Sequence, residues 1–252
     1  MKITIITVCF NAANTINDTL KSVAKQKDVE IEHIVVDGGS KDQTLEIVKK
    51  YKSVSVLVSE PDKGIYDAMN KGISLMTGDI VGTLNADDFY SSDLVLSEVE
   101  KAFLDPSIKA CYGDLVYVKQ DDVNKNVRYW KSGVYEDKLF RSGWMPAHPT
   151  FFVRKSIYER FGKFSLDYKI AADFELLFRL IEQSKIKIKY IPKVLVKMRM
   201  GGTTNRNLSN VITQNQEIIK ILKDYYSDFS LVSFILRKLT NRAIQYINNP
   251  KD

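Results

Sequence analysis

The first hundred residues alternate short apolar runs, rich in β-branched side chains, with segments whose apolar residues recur at helical spacing. Ile16, Leu20 and Val23 illustrate that spacing. Such alternation is typical of βαβ units, in which helices cover a mainly parallel sheet. The pattern predicts strands over residues 3–10, 31–37, 55–59 and 79–85, and helices over residues 14–25, 42–51 and 64–76.

The rest of the chain predicts more helix. The polar residues 119–126 predict an exposed hairpin or loop. We expect an α/β fold, with a Rossmann-like, mainly parallel central sheet flanked by helices and a helical C-terminal extension. The predicted units are a main domain over residues 1–205 and an extension over residues 206–252. Helical patterns cover residues 92–103, 154–161, 172–183, 208–225 and 230–247, and strand patterns cover residues 109–118 and 187–191.

The composition narrows the class of protein. The chain has 252 residues, 44% of them hydrophobic, so it can bury a full core. Because 37 Lys and Arg residues exceed 31 Asp and Glu residues, the net charge of +6 favours polyanionic partners such as nucleotide phosphates or an anionic membrane surface. The basic residues are dispersed and no nucleic-acid-binding module is recognisable, so we expect no nucleic-acid partner.

Three features bear on where the protein works. Its two cysteines, Cys9 and Cys111, give no disulfide or metal-ligand framework, which favours a reducing compartment. The first apolar run leads directly into polar Asn11 and predicts a buried strand rather than a signal peptide. No stretch has the roughly 18 consecutive apolar residues of a spanning helix. We expect a cytoplasmic protein, with any membrane contact peripheral.

Polar or glycine-containing turns follow the first four predicted strands. In open α/β sheets, ligands bind outside the carboxyl ends of the strands. We therefore expect these turns to converge on one ligand-binding rim. They are Asn11 and the segments 37–40, 60–64 and 85–88.

The turn after the fourth strand carries adjacent carboxylates, Asp87 and Asp88, after Asn85 and Ala86. Adjacent carboxylates repel each other unless a cation or hydrogen-bond donors compensate. Mg²⁺ and Mn²⁺ prefer oxygen ligands and commonly bind one or two carboxylates together with substrate phosphates. The pair therefore suggests a site for a metal ion and a diphosphate. An ordinary polar turn before the next helix would give the same local pattern.

The turn over residues 37–42 contains two glycines, which would let a ligand approach the backbone closely. Asp37, next to Gly38, could accept hydrogen bonds from a base or ribose, although a tight turn between strand and helix also explains the segment. The segment matches neither the dinucleotide-binding Gly-x-Gly-x-x-Gly pattern nor a Walker loop. This argues against a dehydrogenase and against a P-loop nucleotidase.

The third turn runs into a helix that carries Asp67 and Lys71 four residues apart. They could form a surface ion pair worth about 0.2–0.5 kcal/mol. Alternatively they face the rim with Asp62 and Gly64, and Lys71 lies near a phosphate.

Two later residues are candidates for proton transfer. Asp173 lies at the start of a helix, where a carboxylate is favoured by the helix dipole on structural grounds alone. In a functional interpretation, Asp173 is a general base that the helix holds rigidly at the site. His148 could also transfer protons, but a single histidine is more often structural or a substrate contact, and we do not assign it as the base.

In their order along the chain, these motifs resemble glycosyltransferase family 2, whose members have the GT-A fold. The resemblance extends from the amino terminus to about Gly202. It is carried by the segment 7–11, the turn 37–40 with Asp42 and Thr44, the Asp87 and Asp88 pair, the segment 148–151 and the helix start 172–175.

The resemblance implies a nucleotide-sugar-binding half over residues 1–105 and an acceptor-binding half over residues 106–205. It implies that Asp87 reaches the ribose or the metal ion, that Asp88 holds the metal ion and that Asp173 is the catalytic base. Many relatives have an aspartate in place of Asn85, so the acidic cluster is reduced here. The predicted substrate-binding residues are Thr7, Cys9, Asn11, Asp37, Gly38, Asp62, Gly64, Asp67, Lys71, Asn85, Ala86, Asp87 and His148, and the predicted metal ligands are Asp87 and Asp88.

We therefore expect a metal-dependent, inverting hexosyltransferase that uses Mn²⁺ or Mg²⁺. It would move a sugar from a nucleotide-sugar, with UDP as the expected nucleotide, to a hydroxyl of a glycan acceptor in bacterial surface polysaccharide synthesis. The alternative is a non-catalytic protein that binds a nucleotide-sugar and releases no nucleotide. A nucleotidyltransferase is a third interpretation, but the amino-terminal region lacks a glycine-rich basic loop for a triphosphate.

The last predicted helix is amphipathic. Such a helix could lie on an anionic membrane at the inner face of the cell and bring the enzyme to a lipid-linked acceptor. A terminal helix packed on the domain would show the same pattern. Its apolar residues on one face are Val232, Ile235, Leu239 and Tyr246, and its basic residues are Arg237, Lys238 and Arg242.

Overall fold

The computed structural model describes residues 1–201 and 208–247, and within them the side chains of residues 241, 246 and 247 lie outside the description. Gly202 and the predicted boundary between residues 205 and 206 lie outside the described residues, as does the side chain of Tyr246. The predicted division of the chain into units stays a prediction.

A mixed sheet forms the centre of the molecule, with nine strands in the described part of the chain. The strands are β1 (Lys2–Cys9), β2 (Glu30–Asp37), β3 (Val54–Ser59), β4 (Ile80–Thr83), β5 (Phe89–Tyr90), β6 (Ala110–Val118), β7 (Asn126–Trp130), β8 (Phe152–Arg154) and β9 (Ile188–Arg199). The helices are α1 (Ile16–Ala24), α2 (Thr44–Val48), α3 (Ile65–Leu75), α4 (Val95–Ala102), α5 (Lys155–Phe161), α6 (Ala172–Leu177), α7 (Leu208–Tyr225) and α8 (Leu231–Ile247).

The strand order is β3-β2-β1-β4-β8-β6-β9-β5, and β7 pairs with β6 beside the short β8. The first four strands of this order are parallel, and β6 and β9 are parallel to each other. The short β8 is antiparallel to both β4 and β6, so β4 and β6 run in one direction. The carboxyl ends of β1, β2, β4 and β6 therefore meet at one edge, as the alternating pattern predicts.

Helices cover both faces of this sheet, which explains why its central strands are apolar along their whole length. All nine residues of β6 are buried, and seven of the eight in β1 are buried. Helix α3 packs closely on β1, because a Cβ at Gly72 would lie only 2.4 Å from Ile6. The predicted α/β fold with a mainly parallel sheet and a helical C-terminal extension is confirmed.

The sequence pattern does not predict β5, β7 or β8, and it predicts only the first part of β9. The strands β7 and β8 are short, and each is stabilised by pairing with a strand distant in the sequence or across a hairpin. The strand β9 extends to Arg199, well beyond the predicted 187–191, although Pro192 and several lysines lie within it. Pairing along β6 over most of its length stabilises this extension.

The helix α8 exposes an apolar stripe. Val232, Leu236 and Leu239 are 69%, 60% and 62% exposed, and at 100° per residue they lie within one arc of the helix. Phe234, on another face, is buried against the position of Gly143, where a Cβ would lie 2.8 Å from its ring. The described helices include none that is both long and apolar enough to cross a membrane.

Candidate active site

A cavity of about 1030 Å³ opens at the edge of the sheet where β1 and β4 end. One wall comes from the residues after these strands, and another comes from the start of α6. Residues of α7 and α8, including Gln214 and Lys238, line it as well. The strand ends and the C-terminal helices thus enclose one space.

Nine of the predicted site residues line this cavity, and six do not. Those that line it are Cys9, Asn11, Asp62, Gly64, Asn85, Ala86, Asp87, His148 and Asp173. Those that do not are Thr7, Asp37, Gly38, Asp67, Lys71 and Asp88. The predicted roles of all fifteen stay predictions, since burial and position alone do not test binding.

Asp37 is completely buried at the end of β2 and accepts hydrogen bonds from its own turn. The amides of Gly39 and Ser40 donate to its Oδ2 at 3.0 Å each, and the hydroxyl of Ser59 donates at 2.7 Å. Burial alone would raise the pKa of Asp37, but these hydrogen bonds together lower it. The carboxylate therefore shapes the turn between β2 and α2, which is the structural interpretation of this segment.

Asn11 joins the turn after β1 to the turn after β2. Its backbone has a positive φ of 49°, a conformation that asparagine tolerates better than most residues. Its amide donates to the hydroxyl of Ser40 at 2.8 Å, and its Oδ1 accepts from the amide of Lys41 at 2.9 Å. The two strand ends are thereby held together at the rim.

The loop before α3 is held by the charged pair predicted from its spacing. Lys71 Nζ lies 2.9 Å from a carboxylate oxygen of Glu60 and 3.7 Å from Asp67 Oδ2. It also donates to the carbonyl oxygen of Pro61 at 2.9 Å. Asp67 and Lys71 therefore make the surface pair, and the loop that they hold presents Asp62 and Gly64 to the cavity.

The turn after β4 places its two carboxylates in different environments. Asp87 lines the cavity, whereas Asp88 is completely buried. The hydroxyl of Thr19 donates to the carbonyl oxygen of Asp88 at 2.7 Å, and Arg199 donates to the carbonyl oxygen of Asp87 at 2.8 Å. Arg199 also forms an ion pair with Asp18. The turn is thus fixed from α1 and from β9.

Few hydrogen bonds stabilise the negative charge of the Asp88 carboxylate. Its Oδ1 has no hydrogen-bond partner, and neither has the Oδ1 of Asn85, although both atoms are buried. Burial, and then the charge of Asp87, raise the pKa of Asp88 well above its usual value. In the described part of the chain, no three His, Cys, Asp or Glu side chains are grouped to hold a metal ion by themselves.

Asp173 lies across the cavity in the first turn of α6, between His148 and Tyr66. His148 Nδ1 is 3.2 Å from Asp173 Oδ2. The hydroxyl of Tyr66 is 3.4 Å from Asp173 Oδ1 and donates to the carbonyl oxygen of Ile170 at 2.6 Å. Burial, and then the charge of Asp173, raise the pKa of Tyr66, so Tyr66 remains a neutral hydrogen-bond donor.

A second carboxylate, Glu217 of α7, binds the backbone that precedes α6. It accepts hydrogen bonds from the amides of Lys169, Ile170 and Ala171 at 2.9–3.1 Å. Glu217 thereby holds the segment that leads into α6. Within α6, the amide of Phe174 donates to Asp173 Oδ1 at 2.8 Å, and Asp173 lines the cavity. No local sequence pattern assigns Glu217 to the site, because it lies 44 residues from Asp173 along the chain.

Aromatic side chains line the cavity on the side formed by residues after β6. The indole of Trp144 donates to the carbonyl oxygen of Ser132 at 2.7 Å, and its ring lies 5.2 Å from Phe140 and 5.6 Å from Tyr135. Tyr129 and Trp130 also line the cavity. Such rings offer flat apolar surfaces beside the polar groups.

Comparison with known proteins agrees with this architecture. Residues 4–162 match the model of the family described as glycosyl transferase family 2. The chain is 28% identical over 251 residues to a PGL/p-HBAD biosynthesis glycosyltransferase of Mycobacterium tuberculosis, covering 95% of this chain and 93% of that protein.

Two solved structures share the fold. S. aureus TarS 1–349 in complex with UDP-GlcNAc is similar at a TM-score of 0.70 and 19% identity, over 95% of this chain and 73% of that one. The mannosyltransferase PcManGT from Pyrobaculum calidifontis, in complex with GDP-Man and Mn²⁺, is similar at a TM-score of 0.61 and 17% identity, over 96% of this chain and 79% of that one. The protein has the GT-A fold and belongs to glycosyltransferase family 2.

Proposed function

We propose that this glycosyltransferase moves a sugar from a UDP-sugar to a hydroxyl of a glycan acceptor, with inversion at the anomeric carbon. The observation that carries the proposal is that Asp87 and Asp173 line one cavity, at the edge of the sheet where the strands end. The similar TarS structure holds UDP-GlcNAc, which supports a UDP-sugar donor, and a relative is named as a PGL/p-HBAD biosynthesis glycosyltransferase of Mycobacterium tuberculosis. A role in bacterial surface polysaccharide synthesis is part of the proposal.

In this mechanism Asp173 is the general base. A carboxylate oxygen takes the proton of the acceptor hydroxyl while the hydroxyl oxygen bonds to the anomeric carbon. The bond from that carbon to the diphosphate breaks, and its electron pair stays with the departing phosphate oxygen. Attack from the face opposite the nucleotide inverts the configuration. His148 and Tyr66 flank this carboxylate, and the amide of Phe174 donates to its Oδ1 at 2.8 Å.

The residues after β4 suit a divalent cation, either Mn²⁺ or Mg²⁺. Asp87 and Asp88 supply carboxylates, and the oxygens of Asn85 and Asp88 that lack partners are hard oxygen donors of the kind these ions prefer. A cation here would offset the repulsion between the two carboxylates and supply Lewis-acid stabilisation of the departing diphosphate. Asp37 contributes to nucleotide binding indirectly, because it holds the turn that lies beside the nucleotide.

We assign donor binding to residues 1–105 and acceptor binding to residues 106–205. The rim residues Asn11 and Asp87 come from the first half, and the aromatic wall around Trp144 comes from the second. Aromatic rings beside polar groups suit the apolar faces of sugar rings.

We assign a lipid-linked glycan as the acceptor, because α8 can bind a membrane surface. The exposed apolar stripe of Val232, Leu236 and Leu239 can enter the interfacial region of a bilayer, and Arg237, which does not line the cavity, favours anionic lipids. The protein would then act on the cytoplasmic face of the membrane, with α8 joining the bilayer to the cavity.

The direct experiment is a screen of UDP- and GDP-sugars for nucleotide release, with and without Mn²⁺, Mg²⁺ and a chelator. We expect metal-dependent release of UDP, and an anomeric product of configuration opposite to the donor by NMR. Retention of configuration would exclude the single displacement. Tight donor binding without hydrolysis or transfer to any acceptor would favour a binding protein instead.

A further inference from the structure

The helix α8 turns a basic face towards the cavity. Phe234 is buried and anchors the helix beside Gly143. Lys238 and Arg242 follow at intervals of four residues, which places all three side chains on one side of the helix. Both basic residues line the cavity, and so does Gln245. The apolar stripe of α8 therefore faces solvent while its basic side faces the site.

These two cations have no nearby counter-charge among residues 1–201 and 208–247. Lys238 Nζ donates to the neutral Oδ1 of Asn215 at 2.6 Å, and neither Lys238 nor Arg242 lies within 4.0 Å of a carboxylate oxygen. Burial, and then the charge of Arg242, lower the pKa of Lys238 to about 8. Arg242 is exposed, so solvent screens part of the repulsion between these cations one turn apart, and an anion bound between them would offset the rest.

Two further interactions connect Arg242 with Tyr117 and Lys238 with α7. The pKa of Tyr117 is raised mainly by burial, and the charges of Arg128, Asp88 and Arg242 all act on its hydroxyl. Tyr117 and Arg242 both line the cavity. Asn215, the partner of Lys238, lies on α7 two residues before Glu217, which binds the backbone leading to Asp173. The basic pair therefore shares one cavity with Asp87 and Asp173.

The charge of the whole cavity lining favours an anion. Its acidic residues are Asp62, Asp87 and Asp173, and it has six basic residues, of which Arg199 is paired with Asp18 outside the lining. A nucleoside diphosphate carries the negative charge that would balance this excess. The basic residues of the lining are Arg128, Lys131, Lys169, Arg199, Lys238 and Arg242.

We propose that Lys238 and Arg242 bind the diphosphate of the nucleotide-sugar donor and stabilise the nucleoside diphosphate as it leaves. This rests on the proposed function. The electron pair of the breaking bond stays on the β-phosphate oxygen, and charge-assisted hydrogen bonds from the two side chains are strongest when that oxygen is fully charged. A phosphate of a lipid-linked acceptor has the same chemistry, and the test below separates the two sources.

The test measures UDP binding to the full chain by calorimetry without any acceptor. The variants are Lys238→Gln, Arg242→Gln and the double variant, and the matched control is Arg237→Gln, because Arg237 lies on the same helix but lines a separate groove. We expect about 10-fold weaker UDP binding for each single variant and about 100-fold for the double variant. Uridine binding and the control should be unchanged.

Three results would overturn the proposal. Normal UDP affinity in the double variant would exclude the diphosphate contact, and a raised KM for the acceptor with normal UDP affinity would assign the pair to an acceptor phosphate. A wild-type chain that binds no nucleoside diphosphate would overturn the proposed function as well. The charge-preserving variants Lys238→Arg and Arg242→Lys should bind UDP more tightly than the corresponding Gln variants, which separates lost charge from misfolding.

Discussion

His148 Nδ1 lies 3.2 Å from Asp173 Oδ2, although the two residues come from separate elements, a short helical turn (His148–Thr150) before β8 and the first turn of α6. The approach is close without hydrogen-bond geometry at His148 Nδ1, and Tyr66 lies 3.4 Å from the other oxygen of the same carboxylate. A base flanked on two sides stays near one geometry, which proton transfer in a transition state requires.

Replacement of Asp173 by asparagine should remove the base and preserve the shape of the site. We expect kcat to fall by about 10²–10⁴-fold, because that is the usual contribution of a positioned base, with little change in donor affinity. Steady-state kinetics and donor calorimetry measure the two effects. Asp167→Asn is the control, since Asp167 is exposed and does not line the cavity. Near-normal turnover of Asp173→Asn would remove Asp173 from this role.

Replacement of Glu217 by alanine should act on both stability and catalysis. It leaves three backbone amides before α6 without their acceptor, so we expect a loss of about 1–3 kcal/mol in the free energy of unfolding. Asp173 should also lose its position, which lowers kcat more than it changes the KM of the donor. Urea unfolding and kinetics check this, with Lys220→Ala on the exposed side of α7 as control. Wild-type stability of Glu217→Ala would mean that Glu217 does not stabilise the segment before α6.

The apolar stripe of α8 should determine membrane binding. The double substitution Leu236→Ser and Leu239→Ser should reduce co-sedimentation with vesicles containing anionic phosphatidylglycerol about 10-fold, because it removes most of the apolar area available to the bilayer. Leu104→Ser is the matched control, since Leu104 is 72% exposed elsewhere on the surface. Equal pelleting of all three proteins would reject membrane binding by α8.

Acid should destabilise the protein through Glu32. Burial alone would raise the pKa of Glu32, but hydrogen bonds from Thr4 and Thr77 and the charge of Lys2 lower it from 4.5 to about 2. Because the folded pKa is the lower one, this stabilisation is present above pH 4.5 and is lost as the pH falls towards 2. The contribution is on the order of 2–3 kcal/mol.

Urea unfolding of wild type and Glu32→Gln between pH 2 and 6 measures this contribution. We expect the difference in unfolding free energy between the two proteins to shrink as the pH falls below 4.5. A difference that is constant across this range would mean that Glu32 does not titrate as its hydrogen bonds imply.

The sequence by itself determined the alternation of strands and helices, because the periodicity of apolar residues is local. It also determined that polar turns follow β1, β2, β3 and β4, and parallel pairing brings those turns to one edge. The order of the motifs was sufficient to identify the family. The short strands β7 and β8 were not predictable, since they depend on partners elsewhere in the chain.

Only the tertiary structure decided which of two adjacent carboxylates reaches the cavity, because packing by Thr19 and Arg199 orients the turn so that Asp87 faces the cavity and Asp88 is buried. It also decided that α8 turns Lys238 towards the site and Leu239 towards solvent. The periodicity of a helix defines its faces, but the contacts that cover each face come from residues distant in the sequence.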